Sequence, residues 1–351
     1  MATSLSRRRK YRTSWQEAVR TQIVARGIQA MFGASDPLAN SVADDIPLVR
    51  AGVRLASLRV LGALGIERIV ARSGLGYQFV CHIGDLAEYP FYHRRALETE
   101  LLLCAAWLEQ EYRPIIYDVG ANVGFFSTQL VQMLSTQASE IYAFEAVPTT
   151  FVKLVQSVRR LGLELRIHPI AAAVLDVARP VCMSFSDQNS LLSQVGSRTI
   201  DTNCRSGLRH SHAAGITLDD FYASTGHLPA LVKIDVEGSE VATLRGSQRL
   251  FSEPTPPALM FEYHPGRILE CDSAASQLDE LLSRYRLYYV NDLVNQGPTF
   301  GTAIRSAVDL QWICNLFATA LCDRWEMVCG KMRRLQQKRP GAQAKIRGPG
   351  R

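Results

Sequence analysis

A chain of 351 residues, 47% hydrophobic and 21% charged, has the means to build a sizeable core, which excludes a disordered or fibrous class. Its net charge of +6 gathers at the two ends, in RRRKYR (Arg7–Arg12) and Lys331–Arg351, and neither end has the aromatic interleaving of a single-strand nucleic-acid groove. No run of about 18 apolar residues suggests a membrane span, and the eight cysteines show no C-x-x-C pair or Cys/His spacing suited to zinc.

In chain order, residues 14–33 predict a helix with Trp15, Val19, Ile23 and Ile28 on one face and Gly33 at its end. The polar SWQEAVR behind the opening arginines fits no secretory leader. A proline-marked linker follows, then a helix over Arg50–Leu64. Two β-like runs flank Gly74 and Gly76 and predict a hairpin. Arg94–Glu109 reads as a helix leading into the main domain.

From Ile115 strands and helices alternate. The strands are Ile115–Val119, Ile141–Ala146, LRIHPIAAAV, ALVKIDVEG, PALMFEYHP, LYYVND and WICNLFATA. Helices run on to Leu134, over Phe151–Leu161, on to Leu250 and over Ala274–Tyr285. The stretch from VCMSFS through the serine-rich segment reads as irregular, and the alternation resumes at ITLDDF. The pattern predicts an α/β fold with a doubly wound, mainly parallel sheet. Leu321–Gln336 predicts an amphipathic helix with Trp325, Val328 and Met332 on one side. It is read as packing on the core or on a second subunit, with contact at a membrane surface as the alternative. The basic ends are read as solvated tails, or as contacts to phosphate groups or lipid heads. No nucleic-acid partner is expected. Cysteines set in apolar runs point to a reducing compartment, so the expected setting is cytoplasmic, at or away from the inner membrane surface.

The turn DVGANVGFF ends the first strand of the alternation, where open α/β sheets bind ligands. Gly120 and Gly124 allow a sharp turn and close approach of a ligand, and Asn122 tolerates left-handed geometry. The dinucleotide spacing G-x-G-x-x-G fails, since positions 122 and 125 are Asn and Phe. Asp118 would repel a pyrophosphate and favour a cation or an ammonium group. Glu145 closes the next strand about 20 residues on, where an acid bonds ribose hydroxyls in nucleotide-binding units.

A second acidic group, Asp235, Glu237 and Glu240 around Gly238, ends LVKIDVEGSE. Lys233 within that strand needs a partner if buried, expected among these acids or at Glu262. Glu262 and His264 end the following strand. Convergence of Asp235, Glu237, Glu262 and His264 on a divalent metal is one reading, but pairing with Lys233 accounts for some of the acids as well, and no metal is assigned.

Taken together, DVGANVGFFS, AFEAVPTTF, ITLDDF, LVKIDVEGSEVATLRG and ALMFEYHP resemble the FkbM family of S-adenosylmethionine-dependent methyltransferases, from about Phe79 to Ala318. The resemblance implies a Rossmann-like class I methyltransferase sheet whose last strand is antiparallel, and members that methylate hydroxyls of sugars or polyketide-derived compounds. It implies that Asp118, Gly120, Asn122 and Gly124 line the methionine and ribose part of S-adenosyl-L-methionine. It places Glu145 on the ribose hydroxyls, Ala146 near the adenine, and Asp235 and Glu237 beside the transferred methyl. The family continues its acidic strand as FEP, whereas this chain has FEAVP, with the proline at 148; the adenine edge is expected to shift. Asp235 or His264 is the candidate base and Glu237 the residue that orients the acceptor, a carbohydrate, glycolipid or polyketide-type hydroxyl. The expected organisation is a helical extension with the start of a hairpin over 1–78, the methyltransferase domain over 79–318, and a helix with a basic tail over 319–351. Two other classes are weighed: a nicotinamide-dependent oxidoreductase on a similar sheet, and a non-catalytic cofactor-binding module. The acceptor is expected to be selected by the N-terminal extension and the Ser184–Ser211 region.

Overall fold

The computed structural model describes residues 60–85, 97–134, 138–186, 189–195, 209–265, 272–292, 297–310 and 312–337. The helix predicted over 14–33, the linker, most of the helix predicted over 50–64 and the basic stretches at both ends lie outside them.

The predicted hairpin is present. Strands β1 (Arg68–Arg72) and β2 (Gln78–His82) pair antiparallel, with Arg72 opposite Gln78. Helix α1 (Glu98–Leu108) leads to β3 (Ile115–Val119), α2 (Phe125–Met133), β4 (Glu140–Phe144), α3 (Pro148–Arg160) and β5 (Ile167–Ile170). Then come β6 (Ala173–Val174), β7 (Pro180–Ser186), β8 (Asn189–Val195) and β9 (Arg209–Ile216). The alternation resumes with α4 (Leu218–Thr225), β10 (Leu231–Ile234), α5 (Glu240–Arg245), α6 (Gln248–Phe251) and β11 (Ala258–Tyr263). The chain closes with α7 (Asp272–Leu281), β12 (Arg286–Asp292), β13 (Ala303–Ile304), β14 (Cys314–Thr319) and α8 (Cys322–Gln337).

The central sheet has the order β13-β12-β14-β11-β10-β3-β4-β5. Strands β5, β4, β3, β10 and β11 run parallel. The last strand, β14, is antiparallel to both β11 and β12, as the resemblance implied. From β3 the chain steps outward to β4 and β5, then returns to lay β10 on the other side of β3. That reversal is the topological switch point, and it opens a crevice at the carboxyl ends of β3 and β10.

One face of the sheet is covered by a core that joins Leu61, Ile69 and Phe79 of the N-terminal part to Trp107 of α1, Leu130 of α2 and Trp325 and Met332 of α8. The opposite face buries Tyr117, Phe144, Leu244, Phe261 and Tyr285. The boundary expected at 78/79 therefore falls inside the hairpin, whose two strands pack on the same core as the sheet. Ser73 bonds Gln129 of α2, and Phe79 meets Phe125 edge-on at 4.9 Å.

The stretch expected to be irregular is a second sheet of order β6-β9-β7-β8. Val181, Met183 and Phe185 alternate inward from β7 onto Val147 and Leu175. The ITLDDF segment divides: Ile216 ends β9, Thr217 caps α4 by accepting from the Asp220 N–H at 2.9 Å, and Gly226 closes the helix in the left-handed region. Helix α8 lays its apolar side on the core, where Trp325 stacks on Tyr288 at 4.2 Å and on Phe317 at 5.1 Å. Any lipid contact is left to its polar side and to the basic residues beyond Gln337.

Candidate functional site

The crevice at the switch point is a cavity lined by the loops after β3, β4 and β10. Its walls include Phe126, Phe144, Ala172 and Met183, with Glu145 and Asp235 among its polar groups. Met183 brings the second sheet into the wall. Of the four non-glycine residues with left-handed backbone among those described, Leu97, Asn122 and Glu237 line this cavity. Backbone strain of this kind collects where a site dictates the path of the chain.

The turn after β3 is shaped by packing. Gly120 has φ 81°, and a Cβ there would lie 1.8 Å from the carbonyl oxygen of Asp235. The glycine lets the loop after β10 close against the turn, whereas the expectation was space for a ligand. Its N–H and that of Ala121 both donate to the Phe144 carbonyl, at 3.0 and 2.9 Å. Gly124, φ 84°, sits at the start of α2, where a Cβ would meet Leu154 of α3 at 2.6 Å. It does not line the cavity.

Glu145 is the most fully built of the expected ligand groups. It is 8% exposed; its Oε2 accepts from the Asn122 N–H at 3.0 Å and its Oε1 from the Val147 N–H at 2.7 Å. Asn122 reaches this position because φ 52° turns its N–H inward. Burial pushes the Glu145 carboxyl up to about 7, although the backbone bonds oppose the rise. The departure from FEP matters here: Ala146 stands where the family has proline, so its backbone N–H also acts on Glu145, and the proline, moved to 148, begins α3. Ala146 lines the cavity beside it.

Asp118 is 0% exposed and lies beneath the cavity without lining it. The cation it was expected to attract is the chain's own Lys233. The two stand side by side on β3 and β10, with Lys233 Nζ 3.5 Å from Asp118 Oδ1 and 3.2 Å from Asp235 Oδ2. Ser127 Oγ donates to Asp118 Oδ2 at 2.6 Å. Burial pushes the Asp118 carboxyl up, with Lys233 and Ser127 offsetting part of the rise. Burial alone would depress Lys233, but Asp235 and Asp118 more than reverse that and hold its ammonium above the usual range. The ammonium also lies 5.3 Å from the centre of the Phe126 ring. The pairing expected for Lys233 is thus present with Asp235, and Asp118 adds to it.

Of the three catalytic candidates, Asp235 and Glu237 line the cavity. Glu237, φ 54°, precedes Gly238 at φ 108°, and this tight turn is held by the Gly238 N–H donating to Glu240 Oε1 at 3.0 Å. His264 follows the end of β11 and is not among the lining residues. Among the described residues no three His, Cys, Asp or Glu side chains are grouped to hold a metal ion. Site residues missed by sequence reasoning include Leu97, Phe126, Phe144, Ala172 and Met183. For Met183 a signal existed, the alternation of VCMSFS.

The model of the methyltransferase FkbM domain matches residues 118–288. No curated protein matches the chain. Among solved structures, methyltransferase FkbM from Methylobacillus flagellatus KT is similar over 58% of this chain at 17% identity and a TM-score of 0.38, and the chain spans only 43% of that protein's length. An S-adenosylmethionine-dependent O-methyltransferase from Thermotoga maritima is similar over 72% of this chain and 78% of its own, at 13% identity and a TM-score of 0.36. A methyltransferase of the same cofactor dependence from Agrobacterium tumefaciens covers 72% and 69%, at 12% identity and a TM-score of 0.37. Such loose overlaps carry no argument about activity; the fold rests on the strand order and the family match.

Proposed function

We propose that the chain transfers a methyl group from S-adenosyl-L-methionine to a hydroxyl of a carbohydrate, glycolipid or polyketide-type acceptor, a reading supported by the match of residues 118–288 to the methyltransferase FkbM domain model. The observation that supports this most is Glu145, a buried carboxyl gripped by two backbone N–H groups at the cavity wall. Each of its oxygens keeps a lone pair for one hydroxyl of a ribose diol. Asn122 and Ala146 line the cavity with it, and Asp235 and Glu237 add further carboxyl groups to the same wall.

The donor, when bound, supplies an electrophilic methyl on a sulfonium. The chain's part is alignment and proton removal. Phe126, Phe144 and Met183 exclude water from the cavity, and the Lys233 hydrogen bond fixes the orientation of the Asp235 carboxylate. Asp235 takes the proton of the acceptor hydroxyl as the methyl is transferred, an assistance worth roughly 10²–10⁴-fold. Glu237, held in its turn, orients the acceptor. Asp118, Lys233 and Ser127 support Asp235 from beneath.

The test is mass spectrometry of glycans and glycolipids from cells lacking the gene, complemented with the wild-type chain or with Asp235→Asn or His264→Ala. Loss of one CH₂ from a single hydroxylated product, restored by the wild type and by His264→Ala but not by Asp235→Asn, is the expected result. Restoration by Asp235→Asn would remove Asp235 from the base role.

A further inference from the structure

A second polar cluster stands on the same edge of the sheet, unused by the cofactor cavity. Glu100 lies one turn beyond the cavity-lining Leu97 in α1 and is 4% exposed. Its Oε1 accepts from Asn291 Nδ2 at 3.1 Å and from Asn315 Nδ2 at 2.9 Å. Asn315 Nδ2 also donates to Asn291 Oδ1 at 3.2 Å. Because β14 runs against its neighbours, its first residues reach the carboxyl edge, and Asn315 stands opposite Glu262 of β11. Both asparagines are half-buried. The charges of Lys233 and Asp235 act on Glu100, and Leu97, three residues before it, lines the cavity.

The hydrogen-bond inventory of the cluster is incomplete in a specific way. Glu100 Oε2 is buried with no partner among the described residues. Asn315 spends both Nδ2 protons within the cluster, which leaves its Oδ1 as an acceptor, while Asn291 keeps one Nδ2 proton as a donor. Burial pushes the Glu100 carboxyl up against the opposing hydrogen bonds. The buried Glu100 oxygen costs free energy when it meets nothing further, and the half-buried amides leave one acceptor and one donor beside it. A hydroxyl, which both donates and accepts, matches what they offer; an apolar surface does not.

We propose that Glu100, Asn291 and Asn315 form a subsite that binds a hydroxyl-bearing part of the acceptor, in which Glu100 is the positioning residue for the two amides. The subsite rests on the transferase reading of the neighbouring cavity, and it names the acceptor as a polyhydroxylated molecule recognised at a hydroxyl other than the one methylated.

The experiment uses the full chain and the methyl glycosides of glucose, galactose, mannose and rhamnose, followed by ligand-observed NMR with and without S-adenosylhomocysteine. The wild type is expected to bind at least one glycoside. Asn315→Ala and Glu100→Leu are expected to weaken that binding about tenfold, the loss of roughly one hydrogen bond, with affinity for S-adenosylhomocysteine and melting temperature unchanged for Asn315→Ala. Glu100→Gln, which keeps an acceptor and a donor, is expected to recover most of the binding. No glycoside bound by the wild type overturns the subsite, as does equal binding by all variants with only a lowered melting temperature, the mark of a brace between α1 and the sheet. Failure of the wild type to bind S-adenosylhomocysteine would contradict the transferase reading instead, and glycoside binding in its absence still decides the subsite.

Discussion

Two residues show how far the site depends on backbone placement and burial. Gly120 and Gly162 share a left-handed φ, 81° and 68°, but a Cβ at 120 meets the Asp235 carbonyl at 1.8 Å, whereas at 162 nothing lies within 4 Å. Gly162→Ala should cost only about 1–2 kcal/mol, the backbone penalty alone. Gly120→Ala should cost more than about 3 kcal/mol, because backbone has to move. Urea denaturation of the two variants checks this, and equal losses would show that Gly120 is not a packing position. Glu145 gives the pH prediction. Its carboxyl lies at about 7 in the folded chain against an ordinary 4.5, so between these values the folded state holds a proton that the unfolded state has released. Its contribution to stability is therefore present at low pH and lost as pH rises through the window, by about 3 kcal/mol. Ribose hydroxyls donate to the ionised form, so binding of S-adenosylhomocysteine should strengthen with pH, approaching about tenfold per unit below 7 and levelling above it. Glu145→Gln should flatten that slope in calorimetric titrations across the range.

At the scale of elements, α8 is part of the core despite following the last strand. Trp325 is 1% exposed between Tyr288 and Phe317, and Trp325→Ala should cost about 3–5 kcal/mol, read as a lowered denaturation midpoint. An unchanged midpoint would mean that the helix is dispensable to the fold. The elements also show which physics was legible in the sequence. Strand β3 is buried, and IIYDV, apolar but for Asp118, announces it as a parallel strand covered on both faces. The three segments β7, β8 and β9 were hidden for the opposite reason. Strands β7 and β9 alternate more buried with more open positions, so serines, histidines and arginine dilute the apolar signal, and the register between the two comes from backbone pairing across a long connection. In the site, Lys233 demanded a partner because a lysine in an apolar run cannot be left alone. The strain at Leu97 had no signal, since φ is imposed there by the path of the chain into α1. The glycines of the turn were visible as glycines, but which atom they make room for is a property of two loops meeting and not of either sequence.

For the molecule as a whole, one core runs from the hairpin through α1 to α8, and the break in strand order that makes the crevice is the reversal between β3 and β10. That break positions everything proposed for the site: Asn122 from the turn after β3, Glu145 from the end of β4, Asp235 and Glu237 from the turn after β10, with Asp118 and Lys233 clasped below them. No helix among the described residues is long and apolar enough to cross a membrane, and none of the described cysteines forms a disulfide. The central claim is that this crevice accepts an adenosyl sulfur compound and not a dinucleotide. Isothermal titration of the full chain with S-adenosylhomocysteine and, separately, with NAD measures it directly. Saturable binding of the former, abolished in Glu145→Ala, with no heat from the latter, is the predicted result; NAD binding with no response to S-adenosylhomocysteine would contradict it.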